Sequence, residues 1–327
     1  MTSRLRRNRK KEMANGKWIS GLTVDMPVED AARKVLDARL KVVCEYLPLA
    51  VQAPHEDIEH VHQLRVGTRR ADAAVKIFSD CLPRKAFQVQ RKQLRRVRRA
   101  AGAARDWDVF LMALSEWSQK RPLADTPGLD FLRGHAFTQR QIAQESLREV
   151  GAFPLDTSPL IGAIQTPSDP KAPRELGPLA LNTLANLMDG LDRGIAADTG
   201  DYNHLHQIRI SGKRLRYAME IFADCFAPPF RDKMYPAIEA MQELLGSAND
   251  SHVAQQRLSD LRNPLKLTCP DDWARLRPGI ERLLQSHRQR LTAERQRFRR
   301  WCQSWRKARL PLAGLLLPVS EPAAESA

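Results

Sequence analysis

The sequence predicts an all-α protein built from an internal duplication, and three observations carry that prediction. The block His62-Gln-Leu-Arg-Val-Gly-Thr-Arg-Arg recurs as His206-Gln-Ile-Arg-Ile-Ser-Gly-Lys-Arg, 144 residues later. Apolar residues in each copy step by three or four, the period of a helix with one buried stripe. No stretch alternates apolar and polar residues as a half-buried strand would.

The repeat extends well beyond the nine-residue block. Ile77-Phe78-Ser79-Asp80-Cys81 matches Ile221-Phe222-Ala223-Asp224-Cys225, and the stretch from Gly102 to Val109 aligns with that from Gly246 to Val253. Upstream, Val35, Leu40, Val43 and Leu47 fall on Leu179, Leu184, Leu187 and Leu191 without an insertion. A fixed offset over so many blocks marks two copies of one structural unit.

In the first copy the spacing predicts helices over 28–46, 56–81, 85–101, 107–120 and about 128–149. In the second it predicts 175–196, 202–226, 230–245, 250–262 and a long basic helix over about 272–307. Val61, Leu64, Thr68, Ala71, Val75, Phe78 and Leu82 form the core stripe of the repeated helix; Leu205, Ile208, Gly212, Leu215, Met219, Phe222 and Phe226 repeat it. Pro27 favours a helix start, Gly102 and Gly246 read as helix ends, and Asp106 and Asp250 as caps. The first unit spans about 26–150 and the second about 174–310. Residues 151–173, with five prolines, read as the linker. Residues 1–25 and 311–327 read as flexible tails, the first basic.

Among 327 residues, 53 Lys and Arg face 38 Asp and Glu, a net charge of +15, which points to a polyanionic partner. The 43% of apolar residues is ordinary globular composition. Five dispersed cysteines without a CxxC pair exclude a cysteine-rich zinc module and suit a reducing compartment. No signal-peptide apolar region follows the basic start, and the longest apolar tract, Leu310–Val319, holds two prolines and is too short to span a bilayer. The expected location is the cytoplasm.

The charge clusters. Ile58–Arg105 carries 13 basic residues against 3 acidic ones, and Arg282–Arg309 carries ten against one. A solvated face explains the second run and the N-terminal tail. In the repeated helix the basic residues are in phase: His62, Arg65, Arg69 and Lys76 in one copy, His206, Arg209, Lys213 and Arg216 in the other. Each row lies one position past the core stripe and so flanks the buried seam. Two such helices facing across a groove would grip phosphate oxygens with guanidinium forks and histidine N–H groups. The alternative is that the histidines are core residues and the arginines pair with carboxylates such as Asp106 and Asp250.

Other motifs are weaker. His55 and His60 have i, i+5 spacing, which keeps the rings off a common helix face, so no metal site is expected. Ser211-Gly-Lys-Arg lacks the upstream glycine of a phosphate loop, and no dinucleotide loop or nucleophile elbow is present. Neither a catalytic residue nor a cofactor is expected.

The repeated HxxRVxxRR helix, with its later glycine and (R/N)D corner, resembles the CHAD (conserved histidine α-helical domain) family. In the first copy the resemblance rests on His62, Arg65, Val66, Arg69, Arg70, Gly102, Arg105, Asp106, Asp108 and Val109. In the second it rests on His206, Arg209, Lys213, Arg214, Leu215, Arg216, Gly246, Asn249, Asp250 and Val253. It implies two antiparallel four-helix bundles related by a pseudo-twofold, with a basic central groove or pore. It also implies non-catalytic binding of inorganic polyphosphate, sometimes at polyphosphate granules. Ala71 and Asp72 stand where the second copy has Leu215 and Arg216, and Glu220 replaces Lys76, so the two halves of the groove should not be equally basic.

The expected polyphosphate-binding residues are His62, Arg65, Arg69 and Arg70 from the first copy and His206, Arg209, Lys213, Arg214 and Arg216 from the second, with Arg95 from the following helix. A nucleic-acid-binding helical protein is the competing class; aromatic residues are only 6% and no stacking platform accompanies the basic residues. A polyphosphate hydrolase or kinase is the third, and would require turnover with Mg²⁺.

Overall fold

The computed structural model describes residues 16–317, except 55, 120–121, 154 and 198–200. Nine α-helices and no β-strand occur among these residues. The first half contributes α1 (Val28–Gln52), α2 (Glu59–Ile77), α3 (Arg84–Ser118) and α4 (Thr126–Gly151). The short α5 (Ser158–Gly162) lies in the connection. The second half contributes α6 (Leu176–Ala196), α7 (Tyr202–Phe222), α8 (Tyr235–Thr268) and α9 (Pro270–Ala308).

Element boundaries recur at the sequence offset. The 3₁₀ turn Ser79–Cys81 ends α2, and the turn Ala223–Cys225 ends α7. Prolines explain both stops: Pro83, and Pro228 with Pro229, have no N–H with which to continue a helix.

Two sequence expectations fail along α3 and α8. Each is one continuous helix, so Gly102 and Gly246 are not helix ends, and Asp106 and Asp250 are not caps. A glycine costs a helix interior only about 1 kcal/mol relative to alanine. Packing along the remaining 30 or more residues of each helix, Leu94, Ala101, Phe110 and Leu114 in α3 among them, offsets that.

The core is divided differently from the sequence halves. One cluster joins both halves through Val35, Leu64, Leu94, Leu184, Leu215 and Leu245, and Trp301 and Trp305 of α9 close it. Trp305 Nε1 donates to Asp192 at 2.9 Å, and Trp301 Nε1 to the Ala237 carbonyl at 2.8 Å. The second cluster is a distal bundle made from the ends of α3 and α4 (Phe110, Leu114, Leu132) and of α8 and α9 (Leu258, Ile280, Leu284). The two cores are therefore shared between the halves. At the distal bundle α4 and α9 touch through glycines: a Cβ on Gly128 would stand 2.2 Å from the Leu276 carbonyl, and one on Gly279 2.3 Å from that of Asp125.

The described parts of both expected tails are packed. Ile19, Leu22 and Val24 are buried, because an apolar i, i+3, i+5 set finds a surface on α1 and α7. Leu312 is buried, and the Leu315 carbonyl accepts from the Ala227 N–H at 2.7 Å. Residues 1–15 and 318–327 lie outside the described residues. Among the described residues, no helix is long and apolar enough to cross a membrane.

Candidate functional site

Helices α2 and α7 pack against each other between the halves. Gly212 permits α7 its close approach to α8, since a Cβ there would stand 2.1 Å from the Met241 methyl. The basic row beside each core stripe thereby comes to the junction. A cavity of about 760 Å³ opens there, with Arg69 of α2, Arg98 of α3 and Arg209, Lys213 and Arg214 of α7 on its walls. Asn182 and Asn186 of α6 bring uncharged amides to it, and Tyr217 and Leu187 bring apolar surface.

Lys213 is the most perturbed cation. Burial, then the positive charges of Arg69, Arg209, Arg65 and Arg216, push its pKa down to about 6. Among the described residues no carboxylate oxygen lies within 4 Å of its ammonium, so nothing local restores the charged form. Burial also lowers Arg69 and Arg209, and each is lowered further by neighbouring guanidinium groups. His62 is lowered chiefly by burial; Glu59 opposes this, and Arg105, Arg65 and Arg69 lower it further. On the cavity wall, Arg209 Nε and His206 Nδ1 are buried and unpaired, whereas the expected His62 and Arg65 do not line the cavity. Such a surplus of confined donors is chemically matched by an anion with many oxygens.

Arg65 pairs with Asp106, Nη2 to Oδ1 at 3.0 Å, as the carboxylate alternative expected for that residue. Arg70 does not line the cavity; its Nε meets the fully buried Glu220 at 2.7 Å. Arg216 also turns to Glu220, at 3.8 Å, and this charge, with Tyr217, raises its pKa against the effect of burial. Arg95 is exposed and off the cavity wall.

The residue of α3 that the sequence reading missed is Arg98. Arg91, Arg98 and Arg105 recur at i, i+7 and i+14 and are all half-buried, whereas Arg95 is off that row. Asp72 aims Arg98: its carboxylate takes Lys76 at 2.7 Å, Arg91 at 3.1 Å and Arg98 at 3.3 Å. Burial alone would raise the Asp72 pKa; Lys76, Arg91 and Arg98 more than offset it and hold it below the usual range. Asn182 and Asn186 carried no charge signal, though their i, i+4 spacing on α6 was visible. Among the described residues, no group of three or more His, Cys, Asp or Glu side chains is placed to hold a metal ion.

An all-α protein with a cationic cavity between two repeated helices is the class defined by this fold and site. The chain belongs to the CHAD family, whose domain model matches residues 34–259. The crystal structure of the CHAD domain from the plant Ricinus communis superposes with a TM-score of 0.67 at 23% identity, covering 90% of this chain and 98% of that one. PptA from Streptomyces chartreusis superposes with a TM-score of 0.56 at 18% identity, covering 85% of this chain and all of the other. Both likenesses show the fold. Among curated proteins no sequence match was found.

Proposed function

We propose that this protein binds inorganic polyphosphate in the α2–α7 cavity without turning it over, in the cytoplasm and at polyphosphate granules. The observation that carries the reading is Lys213: a half-buried ammonium that shares the cavity wall with Arg69 and Arg209 and, among the described residues, has no carboxylate within 4 Å. A ligand that brings dense negative charge restores its proton and pairs the unpaired nitrogens of Arg209 and His206. The polyphosphate binding implied by the sequence resemblance agrees with that chemistry.

Isothermal titration with long-chain polyphosphate at physiological salt is the test. Arg69→Glu with Arg209→Glu removes two attractive contacts and adds two repulsive ones. Charged hydrogen bonds are worth about 1.5–3 kcal/mol each, so the double variant should bind roughly a hundredfold more weakly while remaining helical. Absence of binding by the wild-type chain, or displacement of polyphosphate by nucleic acid at equal charge concentration, would overturn the reading. Phosphate release with Mg²⁺ should stay at background.

A further inference from the structure

The cavity lining has counterpart positions in the sequence. The 144-residue offset carries it onto a second set of positions: Lys76 onto Glu220, Asp80 onto Asp224 and Thr183 onto Arg39. At those positions an anion is built into the chain. Glu220 is fully buried, accepting from Arg70 Nε at 2.7 Å and from the Tyr235 hydroxyl at 2.8 Å, with Arg216 at 3.8 Å. Burial lowers Arg39 to about 10, with the Glu220 charge opposing it.

The segment from Gly16 to Leu22 seals this side. Arg39 donates to the carbonyls of Gly16 at 2.5 Å and Lys17 at 2.9 Å. The Ile19 N–H reaches the Glu220 carbonyl at 3.4 Å, and the Gly21 N–H reaches Asp224 at 2.9 Å. Trp18 packs on Tyr235 with ring centroids 4.7 Å apart. Tyr217 and Glu220 link the two sides along α7: Tyr217 lines the cavity four residues after Lys213, and Glu220 follows on the same helix face at i+7 from Lys213.

We infer that the cationic site is a blind channel that grips a linear polyphosphate by its end, the segment Gly16–Leu22 and Glu220 preventing the polymer from threading through. This rests on the polyphosphate reading above. The exposed Lys76 stands at the rim, and Lys213 and Arg69 lie within. A terminal phosphate suits that arrangement, because it carries about −1.5 to −2 at neutral pH, more than an internal unit of the chain.

Two measurements on the full chain test it at physiological salt. Sedimentation of protein in excess over linear polyphosphate should find no more than two copies per polymer, one per end, for short and long chains alike. Capping both ends of a long chain with a bulky amine through phosphoramidate bonds barely changes its total charge, yet should weaken binding by about tenfold or more. Occupancy that grows with chain length, or equal affinity of capped and uncapped polymer, would overturn the blind channel and leave polyphosphate binding standing. If no linear polyphosphate binds, both readings fall.

Discussion

Arg70 and Glu220 lie 150 positions apart, and the Arg70 Nε meets the Glu220 Oε2 at 2.7 Å inside the junction between the halves. Removing one partner of such a pair leaves a buried charge uncompensated, which costs about 3–5 kcal/mol. Glu220→Ala should therefore lose that much stability in urea unfolding, since Arg70 and Arg216 both face the gap. Arg70→Met combined with Glu220→Met should recover most of the loss. An unchanged midpoint in Glu220→Ala would show that the pair is energetically idle.

Lys213 opposes stability for the same reason that it favours an anion. Its folded pKa of about 6 lies below the ordinary lysine value, so between the two the unfolded chain binds more protons. The destabilisation is fully present below pH 6 and is relieved as pH rises toward the ordinary value. Lys213→Met should raise the melting temperature at pH 7, flatten its dependence on pH, and weaken polyphosphate binding. A variant that melts lower would refute the strain assigned to this lysine.

Binding should take up a proton. A bound phosphate raises the Lys213 pKa from about 6, so affinity should fall as pH rises from there toward the bound value, with a slope approaching one proton. Calorimetry in buffers of different ionisation enthalpy counts the protons directly. No uptake at pH 7 would mean that Lys213 does not meet the ligand.

Gly128 and Gly279 should each resist a methyl group, because the nearest atoms are backbone carbonyls that have nowhere to move. Gly279→Ala should cost about 1–3 kcal/mol, the usual range for overpacking. Hydrogen exchange should quicken first in the distal bundle around Leu132, Leu258 and Ile280, while α2 and α7 stay protected. Uniform acceleration along the chain would contradict this division.

The sequence made the α2 and α7 rows legible because a helix converts spacing into direction: one residue past a buried stripe lies at its edge. That rule puts Arg69, Arg209 and Lys213 on the wall of the cavity. It did not distinguish Arg95 from Arg98, since both follow an apolar residue; only the seven-residue recurrence of Arg91, Arg98 and Arg105 separates them. Gly102 and Gly246 misled because local propensity is weaker than the packing of a long helix. The destination of Arg70 was not legible, since it depends on Glu220 in the other half of the chain.

The distal bundle takes two helices from each half of the polypeptide, and this has a consequence during synthesis. Phe110, Leu114 and Leu132 leave the ribosome well before Leu258, Ile280 and Leu284, which must cover them. For that interval the nascent first half carries an unburied apolar face, a natural target for chaperones that hold unfinished chains. Neither half is a finished module, whatever its sequence repeat suggests, and a truncated product of either should be cleared rather than accumulate.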